Sequence, residues 1–379
     1  MPKRMLSKAL RSGLTVLVLA GSMGACAKNT SVSVAPGSNP FRGRTLYVES
    51  RTDARRQAIE WREFRPDDAA LMNQLAKQPT ALWLRDRGVG SEFALRSHVR
   101  KAIRQGTLPV VVLDGITNRD CSRVEAGDLE PADDYRRWIE KLRGTLGRTR
   151  VVVVLEPQAL PHLETCLKPA QQEERLTLLR EAATLLEKRT RAAVYLAAGI
   201  AGNEPPEIMA KRLQRAGIDQ ARGFALNVGE YVDTKRTITY GVWLGELLGD
   251  KPFIVDTSRN GYGAPEGDTC NARERALGLQ PTLDTRHRLI DAYLWLATPG
   301  ISDGTCNGGP PAGEWWPKMA LELVRNTSWI RAAALLPAPP TPPLPPEPGP
   351  RDELEIQMQA AREGMAGGEE TPPVPEDET

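Results

Sequence analysis

The sequence predicts an α/β fold, built as a (β/α) barrel. Short apolar runs recur along the chain at spacings that suit βα units, and helical patterns lie between them. The runs are continuously apolar rather than alternating, as in parallel strands that are covered on both faces. A doubly wound open sheet is the alternative. No glycine-rich phosphate loop follows any of these runs, which counts against nucleotide binding.

The apolar runs are predicted to be the strands of a parallel sheet. Each is rich in Val, Leu, Ile, Ala or Phe, and most end at a polar or glycine-containing turn. In chain order they are TLYVES (45–50), TALWLRD (80–86), LPVVVLDG (108–115), RVVVVLEP (150–157), AAVYLAAG (192–199), GFALNVG (223–229) and KPFIVDTS (251–258).

Three segments between the runs repeat apolar residues at steps of three and four, which is typical of amphipathic helices. They are residues 133–146, 173–189 and 206–217. The segment HRLIDAYLWLA (287–297) fits either a helix or a strand, and the pattern does not separate the two.

The N-terminus is predicted to be an export signal. Residues 1–26 combine a basic start, an apolar run too short to span a bilayer, and small residues before Cys26. This pattern resembles a bacterial lipoprotein box with Cys26 lipidated, although Met23 stands where Leu is usual. Ordinary cleavage nearby, with loss of Cys26, is the alternative. Residues 27–38 are small and polar and are predicted to form a tether.

The remaining chain divides into a globular domain, residues 39–335, and a tail, residues 336–379. The tail is proline-rich at first and acidic at its end, and this composition is typical of extended or disordered segments. It is predicted to be a solvated tail, with a spacer or docking segment at the cell surface as the alternative.

Composition and cysteine content exclude several classes of function. Lys and Arg number 50 against 48 Asp and Glu, so bulk charge does not indicate nucleic-acid binding. Removal of Cys26 leaves four cysteines, which allow three disulfide pairings in an oxidising compartment. A zinc site is not indicated, because the chain has no CxxC pair and only three His residues.

Candidate chemical groups follow the predicted strands, because reactive residues of α/β barrels cluster at the carboxyl ends of the strands. Several carboxylates with no metal set favour acid–base chemistry on a neutral polar substrate, and glycoside hydrolysis is the leading reaction of that type. For each carboxylate, capping of a loop or helix is the structural alternative. The strand-end residues are Asp114, Asp120, Glu156, Gln158, Asn227, Asp256, Ser258, Arg259, Asn260 and, in a later loop, Asp303.

These residues lie in motifs that resemble glycoside hydrolase family 6, the secreted cellobiohydrolases and endoglucanases that cut β-1,4-glucan with inversion. The resemblance runs from NPFRG (39–43) to about residue 330, in matching order and spacing. Its motifs are TNRDCS (117–122), VVVLEP (152–157), FALNV (224–228), KPFIVDTSRNG (251–261), CNARERALG (270–278) and DAYLWL with PGISDGTCNGGPPAGEWWP (291–317).

The resemblance implies a distorted, TIM-like (β/α) barrel of the family 6 type, a polysaccharide partner and no cofactor. It implies that Asp120 assists the general acid and that Asp303 is the base acting through water. It further implies a glucan contact at Asn227, a cleft lined by Asp256, Arg259 and Asn260, and disulfides Cys121–Cys166 and Cys270–Cys306. The membrane is expected as a partner only through a lipid anchor at Cys26.

The departures from the family pattern are as informative as the matches. The family motif LEPD is LEPQ here, so Gln158 stands at the position of the general acid. The family's YLDAGHAGW is YLAAGIAGN, and further sugar-binding positions differ. The other altered positions are Leu113, Ala197, Ile200, Asn203, Thr269, Ala297 and Ile301. Two hypotheses result: a polysaccharide hydrolase with weak or reorganised catalysis, or a non-catalytic protein that binds a glycan or a protein at the cell envelope.

Overall fold

The structure is a computed structural model, and it describes residues 39, 41–119, 121–125, 129–267 and 269–334. The predicted export signal with Cys26, the tether and the tail lie outside the described residues. Among the described residues, no helix is long and apolar enough to cross a membrane.

The core of the fold is one parallel sheet of seven strands in the order in which they occur along the chain. The strands are β1 Leu82–Leu84, β2 Val110–Leu113, β3 Arg150–Leu155, β4 Arg191–Ala197, β5 Gly223–Leu226, β6 Phe253–Asp256 and β7 Ile290–Leu294. The edge strands β1 and β7 do not form a ladder with each other, but the backbone N–H of Ala81 donates to Trp295 O at 3.0 Å. The sheet is thus a curled, distorted barrel.

Helices flank the sheet and cover its outer face. They are α1 Asp53–Trp61, α2 Pro66–Leu75, α3 Val89–Gln105, α4 Cys121–Glu125, α5 Ala132–Leu146, α6 Pro169–Arg189, α7 Pro206–Arg215, α8 Thr234–Leu247, α9 Pro317–Arg325 and α10 Ser328–Ala333. The three helices predicted from periodicity are therefore confirmed as α5, α6 and α7. In α5 the apolar stripe of Trp138, Ile139 and Leu142 is buried against the sheet.

Side-chain alternation in β3 explains why the predicted strands are continuously apolar. Val152 and Val154 point into the barrel interior, whereas Val151 and Val153 pack into the layer between sheet and helices. Both faces of the strand are buried, so neither tolerates polar residues. A third apolar cluster joins α1, α2, α9 and α10 beside β7.

The structure corrects one detail of the strand prediction and resolves another that the sequence left open. Residues 45–50 are not one of the sheet strands, and they make only an isolated bridge, Leu46 with Leu108. The reason is that β3 pairs with β2 from Val110 and β1 pairs with it from Val111, so both edges of β2 are occupied and the earlier segment bridges only to Leu108. The ambiguous segment 287–297 contributes β7, the seventh strand.

Candidate active site

The carboxyl ends of β5, β6 and β7 are joined by one buried carboxylate, Asp256. Its two oxygens accept hydrogen bonds from four backbone N–H groups, and the side chain has no exposed surface. The donors and distances are Gly229 at 2.8 Å, Ser258 at 2.8 Å, Leu296 at 3.2 Å and Ala297 at 3.0 Å. Burial raises the pKa of Asp256, and the backbone donors oppose that rise. Asp256 therefore bonds the loops after β5, β6 and β7 to one another.

Two predicted glucan contacts, Asn227 and Asn260, are also buried and bonded within the protein. Asn227 has a left-handed backbone, φ 63°, and its amide bonds to Val232 O at 3.1 Å and Asp256 O at 3.0 Å. Asn260 donates to Val232 O at 3.0 Å. Both amides therefore fix the loop after β5, and neither presents a free donor to the cleft in this structure.

Arg259 and Asp303 form the charged pair of the site. Arg259 Nη1 lies 2.9 Å from Asp303 Oδ1, while its Nε donates to Gly229 O at 2.7 Å. The guanidinium stacks on the Tyr231 ring at 4.4 Å. Asp303 retains 26% side-chain exposure, so its carboxylate is both oriented by Arg259 and accessible to solvent.

Asn271 holds the loop that carries Asp303. The backbone N–H of Asn271 donates to Asp303 Oδ2 at 2.9 Å, and the N–H of Asp303 donates to Asn271 Oδ1 at 2.8 Å. Asn271 has a left-handed φ of 50°, and the Cys270–Cys306 disulfide ties the same two loops together. We refer to Arg259, Asp303 and Asn271 as the aspartate clamp.

A cavity of about 50 Å³ lies at the ends of β3, β4 and β5. Its polar lining includes the exposed side chains of Gln158 and His162 and the half-buried side chain of Glu230. The remaining lining residues are Pro157, Pro161, Gly199, Ile200, Asn203 and Val228. Gln158 and His162 share one turn, because the N–H of His162 donates to Gln158 O at 3.2 Å.

Glu156, one residue beyond β3, is buried away from the cavity. Its carboxylate accepts hydrogen bonds from the backbone N–H groups of Gly115 at 3.3 Å and Ile116 at 3.0 Å. Burial, together with the neighbouring Asp114, raises the pKa of Glu156 to about 8. Glu156 therefore fastens the loop after β2 to the end of β3.

The loop after β2 brings two further predicted residues to the same edge of the sheet. Asp114 pairs with Arg119 at 2.8 Å and with Arg85 at 3.3 Å, so its carboxylate is neutralised locally. Asp120 lies outside the described residues. The adjacent Cys121 forms a disulfide with Cys166, which links the loop after β2 to the loop after β3.

Sequence reasoning missed Glu230 and Asn271. Glu230 directly follows the predicted strand segment 223–229, so reading one residue further would have added it to the strand-end carboxylates. Asn271 follows Cys270 in the motif CNARERALG, but only its left-handed backbone and its contact with Asp303 show its role. No three His, Cys, Asp or Glu side chains of the described residues are grouped to hold a metal ion.

The structure is thus an α/β barrel whose polar groups lie on the loops at the carboxyl ends of its strands, where the functional sites of such barrels lie. Residues 41–327 match the model of the glycosyl hydrolases family 6, so the chain belongs to that family. Endoglucanase A of Cellulomonas fimi is 36% identical over 75% of this chain and 62% of its own length. Endoglucanase 1 of Streptomyces halstedii is 32% identical over 79% of this chain and 95% of its own length.

A solved structure gives the same result for the fold. The endoglucanase Cel6 from Mycobacterium tuberculosis, in complex with a thio-linked methyl cellobiosyl cellobioside, superposes with a TM-score of 0.70 at 36% identity. The alignment covers 76% of this chain and 99% of that one. The predicted family and its distorted barrel are confirmed.

Proposed function

We propose that the protein hydrolyses a β-1,4-glucan or a closely related neutral polysaccharide. We also propose that its proton donor is not a carboxyl group at the position where the family has its general acid. The observation that carries the proposal is the aspartate clamp. Asp303 is oriented by Arg259 and by the N–H of Asn271 yet remains accessible, as required of a group that directs an attacking water. Family membership and relatives named as endoglucanases support the same reaction.

The second part of the proposal concerns Gln158, which we assign to the position of the family's general acid. A carboxamide has no proton to donate near neutral pH, and general acid catalysis contributes about 10²–10⁴-fold to rate. Hydrolysis of unactivated cellulose is therefore expected to be slow. Ile200 and Asn203, in the same cavity, offer neither charge nor an aromatic face to a sugar ring, so weaker glucan binding is expected as well.

A non-catalytic glycan- or protein-binding role is the second candidate. It is favoured by the cavity wall after β3 and β4, where Gln158, Ile200 and Asn203 carry no ionisable proton. Under this alternative the aspartate clamp is a retained structural feature of the fold.

We further propose that the protein works outside the cytoplasm, held by a lipid at Cys26. The two disulfides support export, because such bonds persist in oxidising compartments. The lipid anchor depends only on the sequence around Cys26, which lies outside the described residues.

The test is product release from soluble cello-oligosaccharides and mixed-linkage β-glucan by the purified protein and its Asp303→Asn variant. The matched control is Asp250→Asn, the same change in an exposed ion pair at the other end of β6. We expect release by the wild type and by Asp250→Asn, and none by Asp303→Asn. Equal product from all three, or none from any, would contradict the proposal, and binding without turnover would support the non-catalytic role.

A further inference from the structure

Glu230 places a carboxyl group in the lining of the cavity. Among the described residues, its side chain makes no hydrogen bond and no ion pair, although it is half-buried. The carboxylates of Asp256 and Glu156 are each bonded to backbone donors. A half-buried carboxyl group with no bonded partner in the protein is free to hold a proton or to meet a ligand.

The backbone that carries Glu230 is fixed on every side. The N–H of Glu230 donates to Asn227 O at 3.0 Å, and Asn227 Oδ1 accepts from Val232 N at 3.1 Å. The preceding Gly229 is bonded through its N–H to Asp256 and through its O to Arg259. The side chain therefore leaves a rigid turn, as expected of a residue that acts at a defined position.

The charges near Glu230 favour its protonated form. Burial raises the pKa of Glu230, and the nearby carboxylates of Asp303 and Asp256 raise it further, while Arg259 opposes them. An upward shift of the pKa is the direction expected of a general acid, since it keeps the proton on the carboxyl group at higher pH.

The other cavity and strand-end groups fit less well. His162 is exposed, and its ring nitrogen Nδ1 lies 3.5 Å from Thr165 Oγ1. Glu156 is absent from the cavity lining and is bonded to Gly115 and Ile116.

We propose that Glu230, which lines the cavity together with Gln158 and follows the Gly229 that bonds to Arg259, is the proton donor to the leaving sugar. This inference rests on the proposed hydrolase function. The proton passes from the Glu230 carboxyl group to the glycosidic oxygen as the bond from C1 to that oxygen breaks and its electron pair moves to oxygen. A water oxygen bonds to C1 from the opposite face, and its proton passes to Asp303. Solvent then returns both carboxyl groups to their starting states, and one water is consumed.

The test compares two substrates whose leaving groups differ in whether they must be protonated as the glycosidic bond breaks. Cellotetraose has a poor leaving group, whereas 2,4-dinitrophenyl β-cellotrioside releases a stable phenolate without protonation. We expect Glu230→Gln to lower kcat/KM on cellotetraose by about 100-fold or more, and on the dinitrophenyl substrate by less than about threefold. The control Glu246→Gln alters an exposed glutamate on α8 and should change neither.

Each outcome separates the two proposals. A wild type that cleaves neither substrate contradicts the hydrolase function itself. A wild type that cleaves only the dinitrophenyl substrate leaves the hydrolase intact and overturns Glu230 as donor, as does an equal loss on both substrates in Glu230→Gln.

Two further readouts keep the proposal testable if Glu230→Gln folds poorly. The high-pH fall of wild-type kcat/KM on cellotetraose should lie above the ordinary pKa of a glutamic acid, because the donor must remain protonated. The double variant Gln158→Asp with Glu230→Gln should regain at least about tenfold over Glu230→Gln on cellotetraose by restoring a carboxyl group to the cavity. A fall at the ordinary glutamic acid pKa, or no recovery, contradicts the proposal.

Discussion

The two walls of the site differ in how their polar groups are held. After β5, β6 and β7, polar side chains are bonded to backbone and to one another, through Asp256, Asn227 and the aspartate clamp. After β3 and β4, Gln158, Ile200 and Asn203 line the cavity. Their side chains make no hydrogen bond with other described residues. The bonded wall also maintains the fold, so it cannot change without loss of stability, whereas the other wall can change its chemistry independently.

The largest effect is expected from a substitution that removes the hydrogen bonds of the bonded wall. Asp256→Ala leaves four backbone N–H groups, two of them buried, without an acceptor and should lower the free energy of unfolding by about 3–5 kcal/mol. Urea denaturation followed by tryptophan fluorescence measures this change. The control Asp284→Ala removes an exposed aspartate and should leave the urea midpoint unchanged. Equal midpoints for the two variants would show that Asp256 does not hold the wall together.

A smaller effect is expected at the unbonded wall from Gln158→Asp. The new carboxyl group supplies a second proton donor beside Glu230, so kcat on cellotetraose should rise by about tenfold, with unfolding unchanged because Gln158 is exposed. Gln158→Asn is the isosteric control and should not raise the rate. A rate that stays at the wild-type value in both variants would mean that position 158 does not face the scissile bond.

The smallest effect is expected at Asn203. Asn203→Trp introduces an aromatic face into the cavity wall, and stacking on a sugar ring should strengthen cello-oligosaccharide binding by about 1 kcal/mol, roughly fivefold in Kd. The dissociation constant is measured by isothermal titration calorimetry in the Asp303→Asn background, because that substitution prevents turnover during the measurement. Asn203→Gln serves as control, and unchanged affinity in the Trp variant would place the sugar elsewhere.

Much of the barrel could be predicted from sequence, because buried parallel strands are apolar on both faces. The segment 45–50 has the same composition, yet it is excluded from the sheet because β1 and β3 already occupy both edges of β2. The amino-acid composition of a segment indicates that it is buried, but it does not indicate which strand edges are free to pair with it. The segment 287–297, which forms β7, is ambiguous for a different reason, since a short apolar run fits either a helix or a strand.

The sequence indicates which polar residues follow the strands, but it does not show how they bond to one another. Asp303 and Arg259 do meet, as expected of groups at neighbouring strand ends. The burial of Asn227, Asp256 and Asn260 depends on backbone donors and acceptors that no sequence pattern displays. Glu230 was missed because its significance comes from the lack of a partner, which only the folded structure shows.

The central claim is that the aspartate clamp directs water at a sugar carbon while a proton reaches the leaving oxygen from the other side. The most direct measurement is proton NMR of the first products released from cellohexaose, which reports the anomeric configuration before mutarotation. Inversion at a β-linkage predicts that the α-anomer forms first and that Asp303→Asn forms none. A first product in the β-configuration, or equal product from Asp303→Asn, would contradict the account.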